Sequence, residues 1–149
     1  MITDAERWTK VTAAHDPVAQ RLMTVPGVGP VIALSFQATV DTPRRFGGDA
    51  ARVSAYLGLV PREYSSGEHQ RKGGITKAGP ALLRSLLVQA AWVIWRRPGT
   101  AGATLHAWAL RVAARRGRRI AVIALARRVS RVLFALWRDE TVFTVTAAA

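Results

Sequence analysis

Two stretches in the second half of the chain decide most of what it can fold into. From Pro80 to Arg97, the residues Leu83, Leu86, Leu87, Ala90, Val93 and Ile94 fall on one stripe at helical spacing. Trp92 and Trp95 lie off that stripe, so this helix is apolar over much of its circumference and is expected at the centre of the fold. From Gly117 to Trp137, Val122, Leu125, Ala126, Val129, Val132, Leu133 and Leu136 make a second stripe, while Arg127, Arg131 and Arg138 project from the opposite side at spacings of four and seven residues. One face packs and the other is cationic. No segment shows the two-residue alternation of a half-buried strand and no internal repeat is visible, so the expected fold class is all-α, a compact helical domain.

The remaining segments fit around those two helices. Residues 3–15 read as a helix whose stripe includes Trp8, Val11 and Ala14, and Asp16-Pro17 breaks the chain before Val18 to Met23 resume. An amino-terminal helical segment, 1–24, is thereby set off from the main body, 25–149. Asp49 to Leu57 has helical composition and meets Gly58 as a stop, and a shorter helix is expected from Thr104 to Ala114. Pro61 to Gly74 is rich in Ser, Gly, Arg and Lys and poor in apolar residues, which predicts a long, exposed, basic loop. Loops of that length inside a compact domain tend to carry function.

Charge narrows the partner. The 149 residues hold 22 Lys and Arg against 9 Asp and Glu, a net charge of +13. The excess is concentrated between Arg62 and Arg138, where Glu63 and Glu68 are the acids, and most of it is Arg, whose planar fork grips phosphate. A genome of high GC content also writes Arg freely, but so uneven a balance points first to a nucleic acid. The absence of cysteine excludes disulfides, iron–sulfur clusters and cysteine-based zinc sites. His15, His69 and His106 have no ligand spacing, so no metal or other cofactor is expected in this chain. No apolar run approaches the roughly 20 residues that span a bilayer, and no secretion signal opens the sequence, so no membrane partner and a cytoplasmic location are expected.

Val25-Pro26-Gly27-Val28-Gly29-Pro30, between two apolar helical segments, has the form of a helix-hairpin-helix element. Gly27 and Gly29 allow a tight interhelical turn and let backbone approach a phosphate closely, and the next helix presents unpaired N–H groups to it. Such an element grips backbone without reading sequence. Against this, no Lys or Arg immediately follows the turn, and an ordinary interhelical turn has the same text.

The hairpin does not stand alone. Downstream come Gly58-Leu59-Val60-Pro61, the pair Ser66-Gly67, the basic stretch Arg71-Lys72-Gly73-Gly74, Ile75-Thr76-Lys77-Ala78-Gly79 and the helix opening Leu83-Arg84. In this order these features resemble the transposase domain of the IS110/IS116/IS902 family, from about Leu22 to Trp95, and Arg118 to Arg138 resembles the family's closing helix. The resemblance implies a DNA recombinase working with two parts: a RuvC-like acidic domain that binds Mg²⁺, and a carboxy-terminal domain whose serine becomes joined to DNA. Some members also use a structured guide RNA, and strand exchange on two duplexes implies a homo-oligomer.

By position the family's serine carries over to Ser66, with Ser65 as the alternative because the residue is doubled here. Arg62, Arg71, Lys72, Lys77 and Arg84 surround it in sequence and are candidates for binding the scissile phosphate or its neighbours. The scattered acids, among them Asp41, Asp49, Glu63 and Glu68, do not resemble a four-carboxylate site, so Mg²⁺ is expected only with an acidic domain outside this sequence. A non-catalytic helix-hairpin-helix DNA-binding remnant or regulatory fragment is the alternative. A helix-hairpin-helix glycosylase is disfavoured because Val31 stands where many of those enzymes place lysine and Asp41 follows the hairpin too closely.

Overall fold

The computed structural model describes residues 3–66, 69–75 and 79–145, with backbone only for 62–66 and 69–75. In chain order its elements are α1 (Asp4–Ala14), α2 (Pro17–Leu22), α3 (Pro30–Val40), a 3-10 turn (Pro43–Phe46), α4 (Ala50–Tyr56), strands β1 (Pro61–Ser66) and β2 (His69–Ile75), α5 (Ala81–Arg96), α6 (Ala103–Arg116) and α7 (Arg118–Asp139). The packed body is all-helical, as expected.

The core is organised by α7, which packs on α2, α4, α5, α6 and the 3-10 turn. Its 22 residues give it a length of about 33 Å. The predicted stripe of α7 is buried at Val122, Leu125, Ala126, Val129, Leu133 and Leu136, and burial extends to Ala121, Ala124, Ser130 and Phe134. The wider stripe follows from its position, since a helix touched from several sides buries more than one narrow face. The fully buried residues of α5 are Leu83, Leu87, Ala90, Ala91 and Ile94, whereas Val93 remains 46% exposed. Burial at the small Ala91 instead of Val93 turns the stripe slightly and lets neighbouring helices approach closely.

At the amino end the expected stripe of α1 is displaced. Trp8 is 68% and Val11 53% exposed, and Ala13 is the buried residue. A complete capping box still starts this helix: Thr3 Oγ1 accepts from the Glu6 amide and the Glu6 carboxylate accepts from the Thr3 amide. Asp16 then fastens the next two elements together. Its Oδ1 accepts from the amides of Val18 and Ala19 at the start of α2, and its Oδ2 accepts from Gln37 Nε2 on α3 at 3.1 Å. Ala13, Ala19 and Leu22 belong to the same buried cluster as the residues of α5 and α7.

A buried polar chain registers α4 on α7. Arg131 Nε donates to Ser54 Oγ at 3.4 Å, Ser54 and Ser130 share a hydrogen bond of 2.9 Å, and Ser130 Oγ donates to the Arg127 carbonyl. Read in that direction, Ser54 donates to Ser130 and each hydroxyl has both a donor role and an acceptor role. That full satisfaction is what makes two buried hydroxyls tolerable in an apolar interface.

The segment expected as a loop is a two-stranded antiparallel ribbon. Glu63 pairs with Lys72, Tyr64 with Arg71, Ser65 with Gln70 and Ser66 with His69. Pro61 pairs with Ile75, so Gly73 and Gly74 together oppose Arg62, and the register shifts there as in a β-bulge. The ribbon contains no apolar alternation because the substantial contacts of each strand are with the other, not with the helical core. Strand propensity in the usual sense reports packing on a sheet face, and that signal is missing here.

Candidate nucleic-acid interface

The ribbon is held at its foot. Leu57, Gly58 and Leu59, which end α4 and lead into β1, are buried, and the Leu59 amide donates to the Ser54 carbonyl at 3.1 Å. On the return path Gly79 has φ +80°, and a Cβ there would overlap the Tyr56 carbonyl oxygen. Only glycine lets the returning chain lie against the end of α4 in that conformation. Arg84, in the first turn of α5, reaches back and its Nη1 donates to the Leu57 carbonyl at 3.4 Å. The sequence-predicted phosphate ligand Arg84 is thus half-buried at this foot and shares in closing the end of α4.

From that anchored base the two strands run to Ser66 and His69, the pair farthest from the foot. With a rise of about 3.3 Å per residue, the five steps from Pro61 place the Ser66 backbone about 17 Å along the ribbon. Ser65 lies one register position nearer the foot. Arg62, Arg71 and Lys72 also lie on the ribbon backbone, and the side chains of these residues and of both serines lie outside the described residues, as does Lys77 altogether. The chain therefore places both candidate hydroxyl positions at the tip end of one ribbon flanked by three basic positions.

The two glycines of the hairpin have different surroundings. Gly27, at φ +80°, sits against α5, where a Cβ would come within 2.9 Å of the Ala90 carbonyl oxygen. Its absence of a side chain serves helix packing. Gly29 is the N-cap of α3, has no side-chain cap, and a Cβ on it would meet nothing within 4 Å. The start of α3 is therefore open to an approaching group, with Val31 beside it 51% exposed.

The cationic face expected of α7 is extended by α6, whose arginines sequence reasoning did not single out. Arg111, Arg115, Arg116, Arg118, Arg119 and Arg131 are exposed, and Arg128 lies over the Trp108 ring with its guanidinium carbon 4.6 Å from the centroid. Burial, then the charge of Arg131, lowers the pKa of Arg127; burial, then Arg111, lowers that of Arg128. Like charges have been brought together here. Elsewhere arginines meet acids: Arg138 forms a bidentate pair with Asp139, a bond that raises the pKa of Arg138 and lowers that of Asp139.

Among the described residues, no group of three or more His, Asp or Glu is placed to hold a metal ion. Among the same residues no helix is long and apolar enough to cross a membrane.

Arginines clustered on one face of a helical body form the kind of basic patch that marks an electrostatic footprint for nucleic acid. Residues 19–107 match the model of the transposase IS116/IS110/IS902 family, and the chain belongs to that family. Over 142 residues it is 34% identical to a probable family 20 transposase of Pseudomonas aeruginosa, covering 95% of this chain and 42% of that protein. It is 36% identical over 141 residues to the transposase for insertion sequence element IS1111A of Coxiella burnetii, covering 94% and 38%. With the transposase for insertion sequence element IS1328 of Yersinia enterocolitica the identity is 33% over 143 residues, covering 96% and 42%. The chain thus spans about two fifths of the length of the curated relatives it matches.

Proposed function

We propose that this chain is the DNA-handling part of a transposase, in which the ribbon carries a nucleophilic serine, Ser66 with Ser65 as the neighbouring alternative, to a phosphodiester. The observation that supports this reading is the ribbon itself: a hydroxyl pair at the tip end, a basic flank, and a foot pinned by Gly79 and Arg84 to the end of α4. A reacting group on an anchored base loses less orientational freedom when it meets its target than one on a free loop.

The step is a transesterification. Serine Oγ attacks phosphorus, an Oγ–P bond forms, the P–O bond to one neighbouring sugar breaks, and the serine proton ends on the departing sugar oxygen. One phosphodiester replaces another, so the reaction runs in either direction without an external energy source. A serine hydroxyl needs a base or metal to lose its proton, and in this proposal that help comes from the family's acidic, Mg²⁺-binding domain. Arg62, Arg71, Lys72 and Lys77 would offset the charge that builds on phosphorus oxygens. The open start of α3 at Gly29 would take a backbone phosphate, as a helix-hairpin-helix does. A guide RNA and a homo-oligomeric assembly belong to the same proposal.

The second reading, a non-catalytic DNA-binding remnant or regulatory fragment, draws on the absence of a metal-holding group among the described residues. Both readings require DNA binding. In a filter-binding series with duplex DNA, affinity is expected to fall steeply and linearly on logarithmic axes as salt rises, because each neutralised phosphate releases about 0.9 of a counterion. Binding that ignores salt, or no binding at low salt, would contradict both.

A further inference from the structure

The face formed by α6 and α7 has no part in the chemistry proposed above, yet it concentrates positive charge. No Asp or Glu occurs anywhere between His69 and Arg138. Two shallow grooves meet at Trp108. One, of 480 Å³, is lined by Arg111 and Arg115 of α6. The other, of 420 Å³, is lined by Arg127, Arg128 and Arg131 of α7. Among the described residues no carboxylate lines either.

We propose that this double groove is a second DNA-binding surface, which grips the sugar-phosphate backbone of a duplex separately from the serine ribbon. Charge complementarity identifies the occupant as a polyanion, and the spacing favours a regular one. Arg111 and Arg115, like Arg127 and Arg131, are four residues apart on a helix, which sets neighbouring cations about 6 Å apart along each axis. Between those helices the arginines form two rows, whereas a small anion would be satisfied by one fork.

The aromatic residues favour a duplex over unpaired RNA. Sequence-specific RNA recognition stacks splayed bases on free aromatic or guanidinium planes. Here Arg128 lies over Trp108, and Arg96 and Arg118 lie over Trp92 at 5.2 and 5.8 Å from the ring centre. Those rings are engaged within the protein, which leaves charge as the main thing the face offers.

The elbow between α6 and α7 points the same way. Arg115 and Arg116 suit the negative end of α6, but Arg118 and Arg119 occupy the first turn of α7, where the helix dipole disfavours cations, and no acid or side-chain cap offsets them. A phosphate at the elbow would relieve that conflict.

The test compares two double substitutions in the intact chain, binding a 30-base-pair duplex and, separately, a structured RNA hairpin. Arg111→Gln/Arg115→Gln removes exposed groove charges. Arg7→Gln/Lys10→Gln removes two exposed cations of α1, whose substantial helix contacts are with α2 and α3 and not with α6 or α7. The groove pair is expected to flatten the logarithmic salt slope for the duplex by about 2 and the control pair to leave it nearly unchanged. Arg111→Lys/Arg115→Lys should restore the slope. Protection of Arg111 and Arg115 by the duplex against an arginine-specific dicarbonyl, read by mass spectrometry on the unsubstituted chain, is a second measurement that does not depend on how a variant folds. Equal losses from groove and control pairs, or no protection, would overturn the proposal while leaving the salt dependence of the whole chain intact. A loss confined to the RNA hairpin would overturn the assignment to DNA.

Discussion

In an assembly that supplies the acidic domain and Mg²⁺, Ser66→Ala is expected to abolish the covalent protein–DNA adduct while leaving duplex affinity unchanged. The effect is large because nothing in alanine replaces the attacking oxygen; removal of a nucleophile typically costs on the order of 10⁴-fold or more. Affinity is spared because it rests on arginines and backbone N–H groups, not on one hydroxyl. Ser65→Ala is the internal comparison, since Ser65 lies one register position nearer the ribbon's foot, opposite Gln70 instead of His69. Loss of the adduct on Ser65→Ala with retention on Ser66→Ala would transfer the role to Ser65. Adduct formation by both single variants and by the double variant would remove the serines from the mechanism.

The second large effect is on stability. Gly79→Ala puts a Cβ into the Tyr56 carbonyl and an L-residue at φ +80°. Both faults act on backbone, which has little room to give, so a cost of about 3 kcal/mol or more is expected. For a chain of this size that lowers Tm by about 10 °C. Gly29→Ala is the contrast: its φ is −101° and the added Cβ meets open space, so melting should be nearly unchanged. If the start of α3 receives a phosphate, the same substitution should nevertheless weaken DNA binding, separating a glycine kept for packing from one kept for access. Thermal melts that rank Gly29→Ala below Gly79→Ala would contradict this assignment.

The helical body was legible because α5 and α7 bury a face wherever they sit, and a buried face must repeat at helical spacing. The places where the reading shifted show its limit. Trp8 and Val11 look like core in sequence, but α1 meets its neighbours through Ala13, because contact with α2 and α3 selects a small residue over a large one. Val93 gave way to Ala91 for a similar reason.

The ribbon was illegible to a search for alternating apolar residues, since the substantial contacts of each strand are with the other. Its trace in the text is of another kind: Gly73-Gly74 at the bulge. The motif order identified the family, and the doubled serine was visible from the start. What no linear pattern conveyed was the division of labour between Gly27 and Gly29, or the meeting of α6 and α7 arginines at Trp108, because both depend on contacts between segments distant in sequence.

The most direct test of the serine ribbon is to digest the DNA-linked protein with nuclease and trypsin and locate the nucleotide remnant by mass spectrometry. Cleavage after Arg62 and Arg71 releases Glu63–Arg71, which holds Tyr64, Ser65 and Ser66 in one peptide. A remnant on Ser66, or on Ser65 next to it, is the predicted result. A remnant on Tyr64 or on any other peptide would contradict it.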